Sequence, residues 1–383
     1  MKIIIIGSAY PYRGGLAAYK ERLAREFVSE GHDVTIVTFS LQYPSFLFPG
    51  KTQYAEGEPP TDLTIVRKVN SINPFNWVAV ARYIMKQKPD LLIFKYWLPF
   101  MAPCFGTIAR IVHRNRHTKI ISIFDNVVPH EKRLGDRIFT KYFIKAIDGA
   151  IAMSELTFND IFLFRKDIPV KLSPHPIFDN FGQAIERNEA MKLLELDSSF
   201  SYILFFGFIR KYKGLDLLID AFANNNLRNK NIKLIIAGEF YDDDSFYKNK
   251  VIDYGLENDV LFFDRFINDN EVYTFFSAAD IVAQPYRNAT QSGVTQIAYQ
   301  FGKPMIVTNV GGLKEVVPDG KCGYVVEPDP DSIYRAISDF FVNNRIQEFS
   351  ENVKEEKKKY LWSAMTASLI DVYNKCRNND SKK

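Results

Sequence analysis

Cysteine is scarce in this chain. Only three, Cys104, Cys322 and Cys376, occur among 383 residues, far apart and odd in number. Such a set supplies neither a disulfide framework nor a zinc site, and it fits a reducing cytosol. Long apolar runs are missing too. No stretch approaches the ~20 residues that a membrane-spanning helix needs. The start, Met1-Lys2-Ile3-Ile4-Ile5-Ile6-Gly7, stays apolar only from Ile3 to Ile6. It reads as a buried first strand, not a signal peptide. Charge of one sign is not in excess, and a net charge of +4 is too mild to imply nucleic acid as a partner. What remains is ordinary for a globular protein, with 46% apolar and 25% charged residues. The length exceeds one ordinary core and fits two domains.

Short apolar, strand-like runs alternate with helical patterns throughout, which predicts an α/β fold with parallel sheets. Strands are expected at 3–6, 34–39, 64–69, 91–96, 120–124 and 150–153. A second series follows at 203–206, 233–237, 260–263, 281–283, 305–308 and 324–326. Helices are expected between them, and the last covers 363–376. The prolines of Ser173-Pro174-His175-Pro176 place a linker there, dividing an N-terminal domain over 1–174 from a C-terminal domain over 175–362. Two doubly wound sheets bind ligands at the carboxyl ends of their strands. Face to face, they enclose a cleft.

Several stretches carry chemistry. Residues 284–312 run from one strand through a small-residue loop and a helix start to a second strand ending in Gly311-Gly312. A helix start with unpaired N–H groups is an anion site. Gly14-Gly15 precede the first helix and let a ligand approach the backbone, although a glycine pair also makes an ordinary turn. Gly207-Phe208-Ile209-Arg210-Lys211-Tyr212-Lys213-Gly214 joins a strand to a helix. Its cations suit a diphosphate, with Arg210 and Lys213 the candidate grips, while Lys211 could instead face solvent. The alternative is a solvated basic loop. Asp125-Asn126 follow a buried strand, with His130 and Glu131 close behind. His130 could relay a proton, its pKa lying near neutrality. Asp242-Asp243-Asp244 reads as a helix start rather than a metal site. Cys104 to Lys119 interleaves apolar residues with Arg110, Arg114, Arg116 and Lys119. With the aromatic loop 43–48 it suits an anionic membrane surface, or else an ordinary helix with a basic outer side.

Taken together, PYRGG, LAREFVSEGHDVTIVT, FFGFIRKYKGLDLLIDAF and FGKPMIVTNVGGLKEVVPDGKCGYVVEP resemble a family 4 retaining glycosyltransferase. The last block couples Gly302-Lys303-Pro304, Gly311-Gly312, Glu315 and Asp319-Gly320 in one order. The resemblance implies the GT-B architecture, two Rossmann-like domains facing across a cleft, with the helix 363–376 packing back on the first. It implies sugar transfer from a nucleoside diphosphate sugar to a sugar or lipid-linked acceptor, with no cofactor or metal. Arg210, Lys213, His130 and Asp125 become candidate catalytic residues, and Asn126 and Glu131 candidate acceptor-side ones. Donor contacts are expected from Gly14, Gly15, Gly207, Thr290, Gln291, Ser292, Gly293 and Gln296, with the nucleobase near Phe266 and Ile267. Surface polysaccharide or glycolipid synthesis at the inner face of the plasma membrane is the setting implied.

The chain departs from the family pattern in three places. Two glutamates common in the family are replaced by Ala289 and Ile297, neither of which can bond a hydroxyl. The arginine usual after the glycine of the basic loop is Phe208. Phe124-Asp125-Asn126 stands where many members carry a histidine. The lost glutamates keep a non-catalytic nucleotide-sugar binder open as an alternative, beside a nucleotide-sugar epimerase.

Overall fold

The computed structural model describes residues 1–44, 53–55, 58–127, 135–224, 227, 231–241, 243–289 and 292–380. The chain divides into two compact units, Met1–His175 with Lys359–Lys383, and Pro176–Lys358.

The first unit is built on seven parallel strands: β1 Lys2–Ile6, β2 Asp33–Leu41, β3 Thr64–Asn70, β4 Leu91–Tyr96, β5 Lys119–Phe124, β6 Gly149–Ala152 and β7 Val170–Leu172. Their order is β3-β2-β1-β4-β5-β6-β7. Between them run helices α1 Gly15–Ser29, α2 Pro74–Gln87, α3 Ala102–Val112, α4 Asp136–Ile144 and α5 Glu155–Phe162. Local chemistry sets where they begin. Asn73 caps α2 by accepting from the N–H groups of Phe75 and Asn76, and Pro74 fills a position with no N–H to satisfy. Ser154 caps α5 in the same way through Thr157. The sheet is covered on both faces, so its central strands are apolar on both. Ile4, Ile6, Leu92 and Phe94 face α2 and α3. Ile3, Ile5, Leu91 and Ile93 face α1 on the other side.

The second unit repeats the plan with β8 Ser201–Phe206, β9 Ile232–Ala237, β10 Val260–Phe263, β11 Ile281–Gln284, β12 Met305–Thr308 and β13 Gly323–Val326, in the order β10-β9-β8-β11-β12-β13. Its helices are α6 Arg187–Leu193, α7 Leu215–Phe222, α8 Ser245–Asp253, α9 Val272–Ala278, α10 Gly293–Gln300, α11 Leu313–Val316, α12 Pro330–Val342 and α13 Ile346–Lys357. A final helix, α14 Trp362–Asp380, returns to the first unit. It sets Trp362, Met365, Leu369, Val372 and Cys376 among Ile3, Ile5, Phe27 and Ile151.

Both units are therefore Rossmann-like doubly wound sheets. In each, the strand order reverses at the centre, beside β1 and β4 in one and beside β8 and β11 in the other. A ligand crevice opens at such a switch point.

Some expectations change on contact with the structure. The short strand β7 lies outside the expected set, and helix α9 fills a gap for which the chain suggests no helix bounds. Helix α9 is buried nearly all round, so it has no amphipathic period to betray it. The stretch from Cys104 to Lys119 does not offer an apolar face to a membrane. Cys104, Phe105, Ile108 and Val112 are all in the core, because α3 packs on the sheet between α2 and α4. Its arginines lie toward the outer end, where Arg114 and Arg116 are exposed. Of the aspartate run, Asp243 accepts from the Ser245 N–H at the start of α8, and Asp244 pairs with Lys248 one turn on. Asp242 is outside the described residues.

Candidate functional site

In the second unit the chain leaves β8 at Gly207 and turns through Ile209, whose N–H bonds the Glu239 carbonyl. A 3-10 turn over Lys211–Lys213 follows, and Gly214 opens α7. The turn carries Lys213 inward until its residue is only 8% exposed. Gly214 adopts a left-handed φ of 65°, and a Cβ there would stand 2.0 Å from the Pro285 carbonyl oxygen. Only glycine lets the basic loop lie against the chain leaving β11.

That facing chain supplies the other wall. Tyr286 is buried, its carbonyl accepts from Thr308 Oγ1 and its hydroxyl meets Ser292 Oγ at 3.3 Å. Arg287 grips Asp216 through two 2.8 Å bonds, and its N–H bonds the Tyr212 carbonyl. These bonds tie the two loops together. Ser292 makes no side-chain cap on α10, so the first-turn N–H groups of that helix keep their capacity to bind.

Between the loops lies a cavity of about 790 Å³, lined among others by Gly207, Phe208, Lys213, Tyr286, Asn288, Ala289, Ser292, Gly293, Val294 and Ile297. The Lys213 ammonium sits 5.6 Å from the centre of the Tyr286 ring. Among the described residues it has no hydrogen-bond acceptor. Burial, and then the charge of Arg210, push its pKa down to about 8. A buried ammonium without a protein partner is costly unless an anion completes it. A smaller cavity of about 160 Å³ shares Phe206, Gly207 and Phe208 with the first and adds Glu239, Phe266, Ile267 and Asp269. The rings of Phe208 and Phe266 stack with centroids 6.1 Å apart. One continuous surface thus offers an aromatic slot, a cation and a helix N-terminus.

The structure brings together Gly207, Lys213, Ser292 and Gly293 around the larger cavity, and Phe266 and Ile267 around the smaller. Arg210 is not in either lining. It is exposed, with its guanidinium 4.6 Å over the Tyr241 ring. Gln296 is nearly buried, its Oε1 has no hydrogen-bond partner among the described residues, and it too lies outside the linings. Thr290, Gln291, His130 and Glu131 fall outside the described residues. Gly14 and Gly15 open α1 in the first unit, with nothing within 4 Å of a Cβ built on either.

Asp125 leads to a cluster that sequence reasoning missed. It follows β5, and its carboxylate accepts from Lys95 Nζ at 2.5 Å. The Lys95 ammonium also lies 3.6 Å over the Tyr19 ring. Lys20, wholly buried on α1, donates to the Leu16 carbonyl and stands 5.2 Å over the Trp97 ring. Burial lowers the pKa of Lys20 well below the usual lysine value, and Lys95 lowers it further. Asn126 is exposed beside this group. The signal was present: Lys95 is the one charge in the apolar strand Leu91–Tyr96, and Lys20 falls on the buried stripe of α1 with Tyr19 and Leu23. Tyr286 also went unnoticed, since an aromatic after a strand is not distinctive.

Two Rossmann-like units with parallel sheets and a nucleotide-sized surface at a switch point define the GT-B class. The comparisons agree. The description "Glycosyltransferase Family 4" fits residues 13–175, and "Glycosyl transferases group 1" fits residues 186–360. The chain belongs to the glycosyltransferases of GT-B fold. It is 24% identical to an uncharacterized glycosyltransferase of Methanocaldococcus jannaschii, over 97% of this chain and 98% of that one. It is 26% identical to D-inositol 3-phosphate glycosyltransferase 2 of Catenulispora acidiphila, over 75% of this chain and 70% of the relative. Among solved structures, a glycosyltransferase from Rickettsia africae superimposes with a TM-score of 0.69 at 15% identity, covering 98% of this chain and 99% of that chain. HepE of Anabaena, crystallised with UDP, gives 0.66 at 15% identity with both chains fully covered.

The lowered Lys213 pKa has a consequence with two opposite signs. A diphosphate held by Lys213 would need the ammonium, so affinity for a nucleoside diphosphate is expected to hold below pH 7 and weaken as pH rises through about 8. The folded pKa is below the unfolded lysine value, so this group's contribution to stability is lowest below pH 8. That contribution rises between about pH 8 and the unfolded value near 10.4. Calorimetric titration from pH 6.5 to 9.5 checks the first part, and urea midpoints of the unliganded protein check the second. A flat affinity profile would place the phosphates elsewhere.

Proposed function

We propose that this protein is a retaining transferase that moves a sugar from a nucleoside diphosphate sugar to an acceptor hydroxyl. The observation that carries it is the buried ammonium of Lys213, with no hydrogen-bond acceptor among the described residues, facing the N-terminus of α10 across a nucleotide-sized cavity. The diphosphate rests between Lys213 and the α10 N–H groups. The base enters the slot beside Phe266 and Ile267. Negative charge grows on the departing phosphate in the transition state, and a preorganised cation and helix N-terminus stabilise it there. Arg210, exposed two residues into the loop, adds long-range positive potential and can swing toward a bound donor. Retention follows from delivering the acceptor on the face the phosphate leaves, with that phosphate drawing off the hydroxyl proton. Asp125 stands in the first unit as the acceptor-side carboxylate, held by Lys95.

The acceptor class we propose is a lipid-linked sugar in surface polysaccharide or glycolipid assembly, handled at the cytoplasmic face of a membrane. Support comes from solved structures of the same fold, one of them named as a lipopolysaccharide outer core galactosyltransferase, WaaB. A thermal-shift screen against nucleotide sugars identifies the donor, since a ligand of the native state raises its stability by mass action. Nucleoside diphosphate release with lipid-linked acceptors then reports turnover, and the anomeric configuration of the product is read by NMR.

A second reading is favoured by Ala289 and Ile297, which line the cavity with apolar groups. They leave a sugar hydroxyl without a carboxylate partner, as in a binder that does not turn over. Donor binding with no diphosphate release under any acceptor would establish that reading.

A further inference from the structure

Helix α4 buries Thr140, Phe143 and Ile144 against the first sheet. Its other side breaks the rule that an outer helical face is polar. Ile138 is 73% exposed, Phe139 43% and Tyr142 37%. Arg137, Lys141 and Lys145 are exposed as well, and their four-residue spacing sets them in one row along the helix. Ile138 and Tyr142 form the adjacent row. Helix α3 extends the patch. Its Arg110 stacks a guanidinium 3.7 Å over the Tyr142 ring and donates to the Tyr142 carbonyl, and Thr107 Oγ1 meets the Tyr142 hydroxyl at 3.0 Å, so the ring lies along α3 with one side exposed. Among the described residues, no carboxylate pairs with Arg137, Lys141 or Lys145.

We propose that this face of α4 docks on an anionic lipid bilayer. The complementarity is specific to such a surface. A row of unneutralised cations fits lipid phosphates, and the apolar row beside it gains only from a medium that water has left. A polyanion without an apolar phase would satisfy the cations and leave Ile138 and Phe139 in water. Among the described residues no helix is long and apolar enough to cross a membrane, so contact through α4 is peripheral. The patch also replaces the face expected on α3, whose apolar residues are spent on the core. The inference goes beyond the transferase reading and stands without it.

Flotation of the full chain with extruded vesicles tests it. Vesicles of phosphatidylcholine with a quarter phosphatidylglycerol should carry the protein, and pure phosphatidylcholine should not. Each cation near such a surface is worth about fivefold in partitioning, so Arg137→Gln/Lys141→Gln/Lys145→Gln should lose on the order of a hundredfold. Ile138→Ser/Phe139→Ser keeps the charges and should lose about tenfold or more. All five side chains are exposed, so melting temperature and nucleoside diphosphate affinity should not move in either variant. That pair of controls separates this proposal from the donor-site reading. Equal binding to both vesicle types, no binding to either, or variants that float like the wild type would each overturn it. A partner with an acidic protein surface would appear as the second of these outcomes.

Discussion

Replacing Lys213 with methionine is expected to lower turnover by about a hundred- to a thousandfold, the range for losing one preorganised group that stabilises developing charge. The fold should survive the change. The ammonium lies among Gly207, Tyr286 and Val294 with no hydrogen bond to protein among the described residues, so the substitution strands no acceptor there. Methionine has nearly the same reach and removes a charge that burial disfavours. A melting temperature that is unchanged or raised, alongside lost turnover and weakened nucleoside diphosphate binding, is the signature of a group kept for function. Lys213→Met with wild-type affinity and turnover would refute the assignment of the phosphate site. Arg210→Ala should cost much less, because Arg210 is exposed and stacked on Tyr241.

The second large effect is on stability. Asp125→Asn removes the carboxylate that Lys95 contacts among the described residues, leaving the buried Lys95 ammonium, with buried Lys20 nearby, facing a neutral amide. Breaking a buried pair from one side costs about 3–5 kcal/mol. For a unit of this size the midpoint should fall on the order of 10 °C. The double change Lys95→Met/Asp125→Asn takes out both charges and should recover most of the loss. Calorimetric melting of the two variants checks this. Equal destabilisation of single and double would show that packing, not charge, sets the effect. Turnover of the double variant, measured where it is folded, then tells whether Asp125 also serves the acceptor.

Much of this architecture could be read from the chain. Runs such as Ile3–Ile6 and Leu91–Tyr96 are apolar because strands in a parallel sheet are buried on both faces, and that leaves a mark that single sequences carry well. Turn glycines such as Gly207 and Gly214 gave the basic loop away for a similar reason, since positive φ forces the residue type. Direction within the loop could not be read. Arg210 and Lys213 are equivalent as cations, and only the 3-10 turn over Lys211–Lys213 sends one inward and the other out. Pairings across long sequence separations were equally hidden. Nothing local links Lys95 to Asp125, which meet because β4 and β5 are neighbours in the sheet. Composition makes α3 a candidate for an exposed apolar face or for an ordinary helix with a basic outer side, yet it is α4 that keeps apolar residues, Ile138 and Phe139, exposed. Which of two basic, apolar helices is spent on the core depends on what packs over it.

The return of α14 has a consequence for how the molecule is made. The face of the first sheet formed by Ile3, Ile5 and Ile151 is closed by residues from Trp362 to Cys376. During synthesis the opening half emerges first and must wait, apolar surface bare, while the whole of Pro176–Lys358 is translated and folds. The first unit to appear is therefore the last to be completed. A fragment cut at His175 inherits the same exposed face, and a synthetic peptide spanning α14 is the piece that would cover it.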